Sequence, residues 1–152
     1  MINVIKMIVI SMLPITELRL SIPYAIGILD FSWYSALFWS LVGNILITAI
    51  LLSALEPVYE FLMKNFNVFN KLFSWLFNRT RKRHSKLFDV WGAIALVLFV
   101  AIPLPGTGAW SGALAASVFG IKFKRALPLI TLGLIMAGII VTILTMGIQA
   151  FI

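Results

Sequence analysis

The sequence predicts an all-α integral membrane protein, built as an inverted repeat of two helical units joined by an amphipathic linker. Three observations predict this fold class. Of the 152 residues, 62% are hydrophobic and only 11% are charged, whereas soluble domains average about 25% charged residues. Two uncharged segments reach the about 20 apolar residues that cross a bilayer. Finally, the pattern Leu-Pro-x-Thr occurs at residues 13–16 and again at 104–107.

The composition argues against several classes of function. The chain has no cysteine, so neither disulfides nor thiolate chemistry is available. Its single histidine, His84, lies in a basic run without paired acids, so we expect no enzyme, metal site or cofactor. The net charge of +7 comes mainly from two clusters beside apolar segments, which indicates membrane orientation and not nucleic-acid binding. The N-terminal segment lacks a small-x-small cleavage site, so we do not interpret it as a signal peptide.

The first unit covers residues 2–55. Its two apolar pieces, at residues 2–13 and 20–29, are too short to cross a hydrocarbon core of about 30 Å at about 1.5 Å per residue. Each such pair is either one broken spanning helix or a re-entrant hairpin that dips into the membrane and returns. Pro14 ends the incoming helix, and residues 31–55 form a transmembrane helix.

The linker at residues 56–90 carries most of the charge. Its Phe- and Trp-rich stripe lies opposite a polar, basic face, which is typical of a helix lying in the membrane interface. The alternative is an amphipathic helix that packs on a partner protein.

The second unit covers residues 91–152 and repeats the design of the first. Two short apolar pieces, at residues 91–102 and 109–121, flank the second Leu-Pro-x-Thr and form the hairpin of residues 91–121. Pro103 and Pro105 end its incoming helix. Residues 126–150 form the second transmembrane helix.

The positive charges favour hairpins over broken spanning helices. If both hairpins return to their own side, one face carries ten of the twelve lysines and arginines, all but Lys6 and Arg19. The positive-inside rule then predicts a cytoplasmic linker and extracytoplasmic termini, in the plasma membrane of a prokaryote. Each unit crosses the membrane an odd number of times, so the second unit is inserted upside down, as in many transporters.

Glu17 and Arg19 are the candidate functional charges, because ionisable groups within a membrane are costly and usually functional. Irregular backbone at membrane depth must be buried or line a wet cavity, so we expect both turns to face inward. Thr16 and Thr107 are candidate N-caps. The two helix N-termini and Arg19 then form an anion-receptive pocket.

In that pocket Glu17 can load and release a proton, since burial favours the neutral carboxyl and an arginine favours the carboxylate. Residues two apart do not face each other on a helix, so we expect Glu17 and Arg19 to have different partners. The structural alternative is that Glu17 only complements a helix dipole and Arg19 only satisfies backbone carbonyls.

The second turn completes the predicted site. Gly106 and Gly108 serve the turn, the hydroxyls of Thr107 and Ser111 are available to a ligand, and Trp110 either lines the pocket or packs. A ridge of small residues, of which Gly112 is one, allows close packing of hairpin arms or of a dimer. The predicted substrate- and proton-binding residues are Thr16, Glu17, Arg19, Pro105, Gly106, Thr107, Gly108, Trp110 and Ser111.

The stretches "ELRLSIP" and "PLPGTGAWSGALAA" resemble the small multidrug export protein family over essentially the whole chain. That family is distantly similar to the DedA, or SNARE-associated, superfamily. The resemblance implies two opposed re-entrant hairpins and an amphipathic helix. It also implies movement of phospholipids or polyprenyl-phosphate carriers, in some members with proton dependence. It assigns Glu17 and Arg19 to the first polar site, and Pro105, Gly106 and Thr107 to the second tip. DedA proteins place an arginine near the second hairpin, whereas this tip is uncharged.

We therefore expect a small transporter for an amphipathic substrate, with an anionic lipid phosphate as the favoured class and protons as the coupling ion. The alternatives are a cationic multidrug exporter and a membrane-organising assembly factor. The expected partners are the lipid bilayer, the substrate, protons and a second copy in a homodimer.

Overall fold

A computed structural model of the chain describes residues 2–65, 86–104 and 106–150. Within these ranges the chain forms six α-helices and no β-strand, which confirms the all-helical fold class. The order of two short helices followed by one long helix occurs twice. The helices are α1 (Ile2–Met12), α2 (Glu17–Gly27), α3 (Trp33–Asn65), α4 (Lys86–Ala101), α5 (Ala109–Val118) and α6 (Phe123–Ala150).

The two long helices contain the segments that can cross a membrane. The apolar part of α3, Trp33–Leu55, has a mean hydropathy of 2.0 over 23 residues, and α6 has 2.5 over 28 residues. Both exceed the about 20 residues that a span requires. They match the predicted segments 31–55 and 126–150, although α6 begins three residues earlier.

The linker begins as a continuation of α3 and not as a separate element. Helix α3 runs unbroken past Leu55 to Asn65 and carries Pro57 inside it. The predicted interfacial helix otherwise falls on residues 66–85, which lie outside the described residues.

The short helices fold back beside one another. Met7 of α1, Ala25 of α2 and Ala36 of α3 form one buried cluster. Met7 and Ala25 lie on opposite sides of the turn at residues 13–16, so α2 runs back along α1. In the second pair, a Cβ on Gly112 of α5 would lie 2.6 Å from Val100 Cγ2 of α4. Helix α4 has 16 residues and begins at Lys86, five residues earlier than predicted.

Helices α3 and α6 form the centre of the molecule. They contact each other, and each also contacts α2 and α5, while α1 packs on α3 and α4 packs on α6. Exchanging α1, α2 and α3 for α4, α5 and α6 leaves this set of extensive contacts unchanged. The outer helix faces expose many large apolar side chains, which suits a surface that faces lipid. Because α2 and α5 each pack on both α3 and α6, the two turns that precede them meet against a shared core.

Candidate functional site

The first turn delivers a buried acid. Glu17 opens α2 with a φ of +38°, in the left-handed region that few non-glycine residues adopt. Its side chain is only 6% exposed. Thr16 occupies the N-cap position but makes no side-chain cap bond. Thr16 is therefore the N-cap residue of α2, as predicted, but its hydroxyl donates to the carbonyl of Ile10 in α1 and does not cap the helix.

The second turn is closed by Thr107. Its hydroxyl contacts the carbonyls of Ile102 at 2.6 Å and Leu104 at 2.8 Å. The N-cap of α5 is Gly108, so the prediction of Thr107 as the cap is wrong. Both glycines of this turn have positive φ, +87° at Gly106 and +135° at Gly108, a conformation that glycine adopts without a steric penalty. Pro105 lies outside the described residues.

The two turns meet at the N-terminus of α5, where the carboxylate of Glu17 lies. Glu17 Oε1 accepts the backbone N–H of Trp110 at 3.3 Å. A Cβ on Gly108 would lie 1.9 Å from Glu17 Oε2, so a glycine is required for the carboxylate to lie this close. The free N–H groups and the positive end of the α5 dipole stabilise a negative charge here.

Arg19 binds the turn that precedes α5. Its Nη2 donates to the carbonyl of Thr107 and to its hydroxyl, the latter at 2.7 Å. Glu17 and Arg19 therefore have different partners, as their spacing predicts. These contacts are the ones that the structural alternative describes. Glu17 complements a helix dipole, and Arg19 satisfies a backbone carbonyl.

Trp110 fastens the second turn to the first. Its indole Nε1 donates to the carbonyl of Met12 at 3.0 Å, one of the last carbonyls of α1, which lack partners within the helix. The ring also packs against the main hydrophobic core. Trp110 thus packs and at the same time borders the site.

The site therefore brings together Glu17, Arg19, Thr107, Gly108 and Trp110. Within the described part of the chain, Ser111 and Gly106 take no part in these hydrogen bonds.

The expectation that both turns face inward is right only for their polar ends. Leu13, Pro14 and Ile15 are exposed, and Ile15 reaches 85%. The apolar side chains of the first turn point outward, whereas the carboxylate of Glu17 lies at the N-terminus of α5.

A groove of about 600 Å³ lies beside the first turn. It runs between α1 and α2, and Thr16 borders it one residue before Glu17. Apart from Thr16 and Tyr24, its lining side chains are aliphatic. The lining residues are Ile10, Leu13, Thr16, Leu20, Pro23, Tyr24 and Ile28.

Sequence reasoning missed a row of neutral polar residues on α3. Ser40, Asn44 and Thr48 are each fully buried, and Ser40 Oγ lies 2.7 Å from Ser21 Oγ of α2. Their four-residue spacing within an otherwise apolar segment was the signal, because that spacing places all three on one helix face. Over the described residues, no group of three or more acids, histidines or cysteines could hold a metal ion.

Comparison with known protein families matches residues 17–140 to the family described as "Putative small multi-drug export protein". The match covers most of the chain, from Glu17 through the second turn and into α6. No curated protein and no solved structure matches the chain.

Proposed function

Because the chain belongs to the small multi-drug export protein family, we propose that it is a compact membrane transporter. The substrate that fits the site best is amphipathic with an anionic head group, of the lipid-phosphate class, and its movement is coupled to protons. The observation that carries this proposal is the carboxylate of Glu17 on the N-terminus of α5.

A helix N-terminus beside an arginine is a ready anion site, and here the protein's own carboxylate occupies it. Protonation of Glu17 removes its charge and weakens its hold on the α5 N–H groups. The N-terminus and the Arg19 guanidinium then become available to an anionic head group. Release of that head group restores the carboxylate and expels the proton, so substrate and proton share one positive site.

The apolar groove between α1 and α2 supports an amphipathic substrate. Thr16 borders the groove, and Glu17 follows it in the chain. A substrate whose head group binds at the N-terminus of α5 would place its hydrocarbon chain in the groove, against Leu20 and Pro23. A purely polar anion would make no use of this surface.

The helix contacts support an inverted repeat of two re-entrant hairpins. The set of helix pairs is symmetric under exchange of the two units. Gly43 of α3 meets α1 at Ile8 and Ser11, and Gly133 of α6 meets α4 at Val97 and Val100. In such repeats the two halves exchange conformations to open the site to either side. We place both termini outside the cell and the basic linker in the cytoplasm.

A cationic small-molecule exporter is the second candidate. The family description and the buried carboxylate of Glu17 favour it, since an ionised acid attracts a cation and is released from it by a proton. An assembly factor would need no central site, so neutral replacements of Glu17 and Arg19 would leave its activity unchanged.

Purified protein in phosphatidylcholine liposomes tests the three alternatives. Fluorescent phosphatidic acid movement is measured by dithionite quenching, and ethidium efflux is measured in parallel, each with and without a pH gradient. We expect gradient-driven movement of phosphatidic acid that Glu17→Gln abolishes. Gradient-driven efflux of ethidium alone would establish the second candidate. If neither probe moves, the proposed transport function is overturned.

A further inference from the structure

A buried polar cluster lies one helical turn from Glu17 and outside the site described above. We define it as Ser21 of α2 with Ser40 and Asn44 of α3, all three fully buried. The two serine hydroxyls lie 2.7 Å apart. Glu17 and Ser21 are four residues apart on α2, which places their Cβ atoms about 5–6 Å from each other.

Within the described residues, one acceptor and one donor of this cluster have no hydrogen-bond partner. Asn44 Nδ2 donates to the Ser40 carbonyl at 2.9 Å, so the amide oxygen points elsewhere. Within the described residues, Asn44 Oδ1 is buried and accepts no hydrogen bond. The serine pair has two hydroxyl hydrogens, and their mutual bond uses one. An acceptor left unmet in a low-dielectric interior is destabilising, because it has lost its hydrogen bond to water.

We propose that Ser21, Ser40 and Asn44 bind an ordered water and relay protons to Glu17, an inference that rests on the proposed proton-coupled function. One water donates one hydrogen to Asn44 Oδ1 and the other to Ser40 Oγ, so Ser40 donates to Ser21 and the Ser21 hydroxyl hydrogen stays free. Buried waters make about three such bonds to otherwise unmet polar groups. Thr48 cannot supply the missing donor, because its hydroxyl is committed to the Asn44 carbonyl at 2.7 Å.

The relay conserves atoms and charge. An excess proton on the water passes to the hydroxyl of Ser40, which gives up its own proton to Ser21. Ser21 passes a proton towards the carboxylate of Glu17, which becomes the neutral acid. No oxidant or cofactor takes part.

Among the described residues, Arg19 is the charged side chain that acts on the carboxylate of Glu17. The other titratable side chains described on the helices packed there are exposed or, for Tyr24, half-buried. They are Lys6 on α1, Tyr24 on α2, Tyr34 on α3, and Lys124 and Arg125 on α6.

Time-resolved infrared spectroscopy of the full chain in liposomes tests the relay without a known substrate. Protons are released from a caged compound, and the carboxyl band that disappears in Glu17→Gln reports the protonation of Glu17. We expect Ser40→Ala and Asn44→Leu to lower the rate at which this band appears by about tenfold or more, because each removes one hydrogen-bonded link of the relay. The midpoint pH of the band should not move. Ser40→Thr retains a hydroxyl and restores the rate.

Thr142→Val is the matched control, because the buried Thr142 hydroxyl donates to Gly138 of its own helix at 2.7 Å. We expect it to leave the rate unchanged. Wild-type rates in both Ser40→Ala and Asn44→Leu would overturn the relay while leaving the proposed function intact. A shifted midpoint with an unchanged rate would make the cluster structural and also overturn the relay. If Glu17 of the wild-type protein does not titrate at all, the proton-coupled function fails first.

Discussion

At Gly108, a side chain and the carboxylate of Glu17 would compete for the same space. A Cβ there would lie 1.9 Å from Glu17 Oε2, on a backbone with φ of +135°. We expect Gly108→Ala to expel the carboxylate from the α5 N-terminus and to destabilise the protein by about 2–4 kcal/mol. Thermal unfolding in detergent measures this loss.

Gly106→Ala is the matched control for that substitution. Gly106 has a φ of +87° in the same turn, but a Cβ there meets nothing within 4 Å. We expect only the backbone cost, about 1–2 kcal/mol. Combining Gly108→Ala with Glu17→Ala should recover part of the loss. If the two substitutions are additive instead, the contact between Gly108 and Glu17 does not determine stability.

Arg19 is predicted to act through the shape of its guanidinium group as well as its charge. Its Nη2 bonds both the carbonyl and the hydroxyl of Thr107, and the planar fork has further N–H donors for a head group, whereas a lysine has a single nitrogen for both tasks. We expect Arg19→Lys to lower the rate of phosphatidic acid movement nearly as far as Arg19→Ala. Full activity in Arg19→Lys with none in Arg19→Ala would show that a point charge suffices.

The chemistry of this site could be predicted from the sequence more readily than its contacts. A glutamate and an arginine stand out in an apolar hairpin because intramembrane charges are costly. The role of the two threonines could not be predicted. A hydroxyl in a tight turn can cap the next helix or bond carbonyls before it. Thr16 reaches Ile10 in the last turn of α1, and Thr107 reaches Ile102 just after the end of α4. The backbone at Gly108, known only from the structure, decides which residue caps α5.

At the scale of helices, close approach of a short helix to a long one depends on a glycine in each unit. A Cβ on Gly43 would lie 1.9 Å from Ser11 Oγ and 2.6 Å from the Ile8 carbonyl, and one on Gly133 would lie 2.8 Å from the Val97 carbonyl. We expect Gly43→Ala and Gly133→Ala each to separate these helices. Both should lower the unfolding temperature, because backbone atoms cannot yield as a flexible side chain does.

Gly92 of α4 and Gly147 of α6 are the controls, since a Cβ at either meets nothing within 4 Å. Alanine is the better helix former by about 1 kcal/mol, so Gly92→Ala and Gly147→Ala should leave stability unchanged or raise it. Equal unfolding temperatures in all four variants would contradict the close approach.

The helices themselves could largely be predicted from hydropathy and proline positions. Uncharged runs of spanning length gave α3 and α6, and Pro14 and Pro103 separated the short helices. The continuation of α3 to Asn65 could not be predicted, because the onset of charge at Glu56 indicates an end at Leu55. The polar row of Ser40, Asn44 and Thr48 was missed because neutral residues barely change the hydropathy of a long apolar segment.

For the whole molecule, the inverted repeat predicts on which side of the membrane each segment lies. The chain has no native cysteine, so single cysteines report topology without background. We expect Asn3→Cys and Ser85→Cys to react with an impermeant maleimide from opposite sides of the membrane, although Ser85 lies outside the described residues. Labelling from the same side would contradict the predicted topology.

The left-handed backbone conformation of Glu17 lowers the stability of the protein at a position where the proposed activity requires an acid. A φ of +38° costs a glutamate about 1–2 kcal/mol, and glycine or asparagine would adopt it more easily. Neither supplies an acid, and aspartate is one methylene shorter than the side chain that meets Trp110 at 3.3 Å. The chain thus retains a residue that folds less readily because the site uses an acid of this length. A screen for thermostable variants would favour replacements at this position, and those replacements would be inactive.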